Sequence, residues 1–335
     1  MPRPPGHDPG QSPSPGFSWG DYVDSLVVTC GTLAAVAERL ASQRGFTDDV
    51  SSVERALRRL RTRGQLAGGT WGARAFTVFG LPAAADARAR WMGAYHSRFV
   101  DLPVPLCLDL VRLWDRPPVS EAPAAPLWLV LAHATCALRA GNTPLAAEHL
   151  ARSRASMSGA PADALCERQL ALAFLANIED AGDVMPHLAA MEPLLRGAMA
   201  SADRVCLHAR WIDQRAYQVN RGRGASGNVK ARAAAAEILY LTIPTLGAPP
   251  FALSRRAGGL AYARWKQGDR EGAAELAREA ARHAGDGGHL RLRAMSLQMR
   301  ARIVGGEEGE RAKTRALAIV TALDDEALRL RFTRG

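Results

Sequence analysis

The chain has 335 residues, 47% hydrophobic and 23% charged, and a net charge of +10. That length and balance fit about two folded domains and exclude a highly charged disordered polymer, while the positive excess points to an acidic partner. No window approaches 18 uninterrupted apolar residues, which excludes a membrane-spanning helix.

Residues 1–16 are rich in Pro, Gly and Ser and lack an apolar signal segment, so they are expected to form a disordered leader. The next unit spans 17–80. Trp19 to Cys30 is expected to be a first helix. Thr32 caps a second, whose Leu33, Val36, Ala37 and Leu40 form one apolar stripe. Gly45 is expected to end it. Thr47-Asp48-Asp49 starts a third helix, with cap residues and negative charge at its positive end. Val50, Val53, Leu57 and Leu60 form its buried side. At 100° per residue, Ser51, Arg55, Arg58, Arg59 and Thr62 fall opposite. Residues 65–80 are punctuated by Gly68, Gly69 and Gly72. They are rich in β formers from Ala75 to Phe79 and are expected to form a short hairpin.

A helical connector follows over 81–126. It has one helix at 88–99 and another at Leu106–Trp114, with Pro117, Pro118, Pro123 and Pro126 marking a linker. Trp91, Tyr95 and Phe99 recur at spacing four, which favours packing over a pocket with His96 and Arg98. From Leu127 the chain repeats. Glycines at 141, 182, 222, 268 and 305 stand 41, 40, 46 and 37 residues apart, each between two helix-length apolar stretches. Five helical hairpins over 127–335, stacked as an α-solenoid, are expected.

Two constellations carry a resemblance. Gly141 with Ala146 and Gly268 with Ala273 keep a glycine-to-alanine offset of five. Ala134 and Ala261 put a small residue seven positions before the turn. Over roughly 127–325 this resembles the tetratricopeptide repeat (TPR). The steps, however, are longer than that family's 34 residues, and the second and third hairpins lack the alanine. The segment LAAVAERLA, a turn, then SVERALRRLRTRG resembles the helix-turn-helix of winged-helix DNA-binding domains. The loop between those helices, Ala41 to Val50, is longer than the motif's usual turn. The resemblance implies that Ser51, Ser52, Arg55, Arg58, Arg59 and Thr62 face a DNA groove and that Arg74, in the wing, meets the adjacent backbone. A helix fits the major groove, and arginine reaches guanine edges or phosphates. The fold class implied is mostly α: a winged-helix-like head followed by a TPR-like solenoid.

Other features are weaker. Gly222, Gly224 and Gly227 in QVNRGRGASGNVKAR do not make a phosphate loop, because Asn228 stands where the lysine belongs. They read as a hairpin loop whose Arg221, Arg223, Lys230 and Arg232 are candidates for contact with a partner. Five cysteines, none in C-x-x-C spacing, argue against a zinc site and a disulfide framework and imply a reducing, cytoplasmic setting. The arginine excess (only Lys230, Lys266 and Lys313 are lysines) reads as codon bias more readily than as phosphate affinity. No H-E-x-x-H, G-x-S-x-G or dinucleotide fingerprint is present, so neither an enzyme nor a cofactor is expected. Two functions stay open. One is a DNA-binding transcriptional regulator whose repeats take a protein or peptide or form a homodimer. The other is an adaptor that binds a protein and no nucleic acid.

Overall fold

The computed structural model describes residues 18–43, 48–63, 68–80, 100–179, 183–196, 201–222 and 227–334. The expected leader, the helix at 88–99 with its aromatic residues, and the turn at Gly182 lie outside the described residues. The chain divides into two compact units, Met1–Arg88 with Arg116–Ala122, and Ala89–Asp115 with Pro123–Gly335. The expected connector is therefore split, and its helix at 104–114 belongs to the second unit. Among the described residues the protein is mostly α-helical and has no strand.

The first unit holds α1 (Trp19–Cys30), α2 (Leu33–Ala41), α3 (Val50–Arg63) and α4 (Gly69–Phe79). Ser18 and Thr32 cap α1 and α2 by accepting from the N–H of Asp21 and Ala35 at 3.3 and 3.1 Å. Asp49 caps α3, accepting from the Ser52 N–H at 3.0 Å. Each satisfies a backbone donor that a helix start leaves open. α2 ends at Ser42, before Gly45, which lies outside the described residues. The apolar stripes meet as expected: Val36, Ala37 and Leu40 of α2 and Val53, Leu57 and Leu60 of α3 are buried with Trp19, Tyr22, Val23 and Leu26 of α1. Val50, expected inside, is 37% exposed at the first turn of α3.

The segment expected as a hairpin is instead α4, so the first unit has no wing among the described residues. Tertiary packing outweighs the β preference of Phe76, Thr77, Val78 and Phe79. The Trp19 ring lies flat against this segment. A Cβ built on Gly68 or Gly72 would stand 2.0 or 2.5 Å from it, so only glycine admits the ring. Gly68 also takes φ +65, a left-handed conformation suited to glycine. Phe76 stacks on Trp19 at 4.8 Å between centroids. The Tyr22 hydroxyl donates to the Gly80 carbonyl at 2.7 Å, fixing the end of α4. Burial raises the Tyr22 phenol to about 12, so that bond persists through the neutral range.

Among the described residues the second unit has α5 (Val104–Trp114) followed by five helix pairs. These are α6 (Ala125–Arg139) with α7 (Thr143–Arg152), α8 (Ala162–Glu179) with α9 (Met185–Leu195), and α10 (Ser201–Asn220) with α11 (Val229–Leu241). α12 (Pro250–Gln267) with α13 (Arg270–Asp286) and α14 (Leu290–Val304) with α15 (Gly306–Ala322) follow, and α16 (Glu326–Arg334) closes the series. The alanines singled out by spacing, Ala134, Ala146, Ala261 and Ala273, are all buried, and Ala261 of α12 and Ala273 of α13 share one core cluster. Between successive pairs a glycine does the same: a Cβ on Gly259 of α12 would fall 2.1 Å from the Tyr240 ring of α11.

The first helices of the pairs turn toward one another. Trp128 of α6, Glu167 of α8, Leu207 of α10 and Phe251 of α12 are buried, and together with Asp163, Asp203, Cys206 and Arg210 they leave a cavity of about 30 Å³. That is room for about one water.

The beginning and end of the second unit are fastened by a buried polar network. Arg139 at the end of α6 is 2% exposed. Its Nε donates to Asp325 Oδ2 at 3.2 Å, and its Nη2 to the carbonyls of Leu102 and Leu323 at 2.7 and 2.9 Å. Asp325 also accepts from Arg291 Nε at 2.8 Å and from the Leu328 N–H, which caps α16. Asp101 accepts from the Arg291 N–H at 2.8 Å, and the Val104 N–H donates to the Leu323 carbonyl. Beside them, a hydrogen bond from Cys136 and the charge of Arg139 hold the Cys107 thiol below its ordinary pKa despite burial; Cys136 is pushed up.

Histidines give the second unit a pH dependence. His133 of α6 and His149 of α7 stack at 5.2 Å between centroids, and burial depresses both pKa values, as it does those of His187 and His208. The fold holds these rings neutral, whereas the unfolded chain protonates them near pH 6.5. Unfolding therefore takes up protons, and stability falls as pH drops below about 6.5. The melting temperature should decrease between pH 7.5 and 5.5, and His133→Gln with His149→Gln should flatten the profile. An unchanged slope in that double variant would contradict this assignment.

Candidate functional site

Helix α3 presents the residues that the sequence singled out. Val53, Leu57 and Leu60 are fully buried against α1 and α2. The 100° turn per residue therefore leaves Ser51, Arg55, Arg58, Arg59 and Thr62 exposed, with Ser52 half-buried at the rim. These side chains are ordered by local contacts. The Ser52 hydroxyl donates to Asp49 Oδ2 at 2.7 Å and accepts from Arg55 Nη2 at 3.1 Å. The Ser52 hydroxyl and N–H hold the Asp49 carboxyl below its usual pKa, keeping the cap ionised. Arg58 pairs with Glu54 one turn earlier at 2.6 Å, yet its side chain stays 68% exposed. The Thr62 hydroxyl donates back to the Arg58 carbonyl.

Arg59 is exposed and has neither an ion pair nor a hydrogen bond from its side chain among the described residues. Arg61, which sequence reasoning did not select, flanks the face and pairs with Asp24 of α1 at 2.5 Å, both half exposed. Such surface pairs are worth about 0–1 kcal/mol and open readily for a better anion.

Arg74 departs from expectation. With no wing to carry it, it sits on α4, pairs with Asp48 at 2.5 Å and lies over the Trp71 ring at 4.7 Å. It ties α4 to the segment entering α3 and is only about a quarter exposed.

The second candidate group is dispersed. Arg221 lies over the Tyr217 ring at 5.8 Å, Lys230 is exposed in the first turn of α11, and Arg232 donates to the Gly227 carbonyl at 3.0 Å. Arg223 lies outside the described residues. The Arg232 bond and the Asn228 cap, accepting from the Ala231 N–H at 3.0 Å, organise a helix start. No group of His, Cys, Asp and Glu suited to a metal occurs among the described residues, and no helix there is long and apolar enough to cross a membrane.

No family model matches this sequence, and neither a curated protein nor a solved structure matches it.

Proposed function

We propose that this protein is a non-enzymatic, cytoplasmic DNA-binding regulator that uses the outer face of α3 as a recognition surface. The observation that carries the reading is the division of α3. Its apolar side is wholly buried, and its other side offers Ser51, Ser52, Arg55, Arg58, Arg59 and Thr62 in a row along 14 residues. A helix of this width enters the major groove, where guanidinium groups meet phosphates and guanine edges and the short serines let the helix approach. α2 and α3 serve as a helix-turn-helix, with no wing among the described residues. In this reading the second unit is a TPR-like α-solenoid that takes a protein or peptide or forms a homodimer.

A second reading, an adaptor that binds protein and no nucleic acid, is favoured by one observation. Ile238, Leu241 and Leu246, at the end of α11 and just beyond it, are 66%, 52% and 98% exposed. Apolar side chains bared together mark a protein contact.

Hydrogen exchange with and without a random-sequence DNA duplex tests the proposal. Slowed exchange concentrated in residues 50–63 is the expected result. An unchanged pattern, or a footprint confined to the second unit, rules out α3 as the interface and leaves the adaptor reading.

A further inference from the structure

We propose that a cavity between α9 and α10 is a binding site for a small aromatic carboxylic acid. The cavity has a volume of about 380 Å³ and is formed by residues of both helices together with Pro244. It lies wholly in the second unit, so the inference stands apart from the α3 reading.

Helical spacing builds its walls. Leu195 and Arg196 follow Glu192 by three and four residues, so the end of α9 turns all three to one side. On α10, Arg204, His208 and Trp211 stand four and three residues apart and line the opposite wall, with Val205 beside them. Packing beneath fixes the gap. Leu195 of α9 and Leu207 of α10 share one buried cluster, with Trp211 packed against it. Val205 and Trp211 also pack against the cluster that holds Ile243, whose neighbour Pro244 completes the lining. The Trp211 Nε1–H donates to the Leu188 carbonyl of α9 at 2.8 Å. That bond holds the indole in place and leaves its π surface, rather than its donor, for a ligand.

The apolar lining sets the shape of the ligand. The His208 and Trp211 rings stand 5.6 Å apart between centroids, at 44°. With Leu195, Val205 and Pro244 they make a mostly apolar wall suited to a flat ring. The volume is near the lower end for small-molecule sites, enough for one or two rings. The polar lining sets the charge. It carries two guanidiniums, Arg196 and Arg204, against the single carboxylate of Glu192, and Arg196 already engages Glu192 at 2.5 Å. An entering anion therefore meets net positive charge. The half-buried His208 has no hydrogen bond and no ion pair among the described residues. Burial, and then the charge of Arg215, hold its pKa below the ordinary value. The ring is thus uncharged in the neutral range and keeps one N–H to donate. Arg204 and His208 stand one helical turn apart, so one carboxylate can accept from both.

The test is calorimetric titration of the full chain with three probes that share one ring system: indoleacetate, the neutral indoleacetamide and the cationic tryptamine. Indoleacetate should bind saturably with a Kd below about 1 mM. The amide should bind about tenfold more weakly, and tryptamine more weakly still. Arg204→Gln should weaken indoleacetate about tenfold and leave the amide unchanged. Val205→Phe places a ring in the cavity and should abolish binding of both. Arg278→Gln, at an exposed arginine of α13 outside the lining, should change nothing. Arg204 is exposed, so its variant should keep the wild-type circular dichroism and decides the matter even if Val205→Phe misfolds. No saturable binding of indoleacetate, equal affinity for the three probes, or full affinity in Arg204→Gln would overturn the proposal. Preference for indoleacetamide would overturn it in favour of an apolar protein side chain as the occupant.

Discussion

Replacing Asp325 by alanine is expected to destabilise the second unit by about 3–5 kcal/mol, the cost of leaving a buried charge without its partner. The Asp325 side chain is fully buried, and Arg139 beside it is 3% exposed at its side chain. Without the carboxylate, Arg139 loses the Asp325 charge that faces it, while the Leu102 and Leu323 carbonyls and the Cys107 sulfur remain among its acceptors. Arg291 loses the same partner, and α16 loses its cap, worth roughly 1 kcal/mol more. The loss should appear in urea unfolding followed by far-UV circular dichroism, as a lower midpoint for the second unit. Arg139→Met combined with Asp325→Ala should cost less than the sum of the two single changes, because the stranded cation is then removed as well. Strict additivity, or an unchanged midpoint, would show that the network does not hold the two ends of this unit together.

Much of the architecture was legible in the sequence because it is written in local periodicity. The apolar spacing of α2 and α3 placed Val36, Leu40, Val53, Leu57 and Leu60 in one core, where they are found. Turn glycines located four of the five pairs within the described residues, with Gly141 and Gly268 both at positive φ. What was not legible depends on distant partners. Residues 69–79 carry β formers, yet a tryptophan some 50 positions earlier packs on their glycines and turns them into a helix. Arg139 and Asp325 are 186 residues apart and have no local signature. The outer face of α3 was legible because one helix supplies all of it; the error over Arg74 came from placing it in a wing.

The second large effect concerns that face. Arg55, Arg58 and Arg59 are exposed and contribute little to packing, so a triple alanine variant should fold as the wild type does. If each arginine contributes on the order of 1 kcal/mol to duplex affinity through a charged contact, the triple variant should bind about 100-fold more weakly at low salt. Each such arginine is a step of about fivefold, and their sum is measurable with a short fluorescent duplex. Arg61 and Arg74 remain in the variant, each with its own carboxylate partner, so residual binding is expected.

Salt dependence discriminates best between a phosphate-seeking recognition helix and a merely solvated one. For a duplex, the slope of log affinity against log salt is about −0.9 per phosphate neutralised. Titrating wild type and triple variant with the same duplex over a range of sodium chloride concentrations should give a steep slope for the wild type. The variant's slope should be shallower by about 2–3. Equal slopes for the two proteins, or no binding by the wild type at low salt, would contradict the assignment of α3 as the DNA-reading helix.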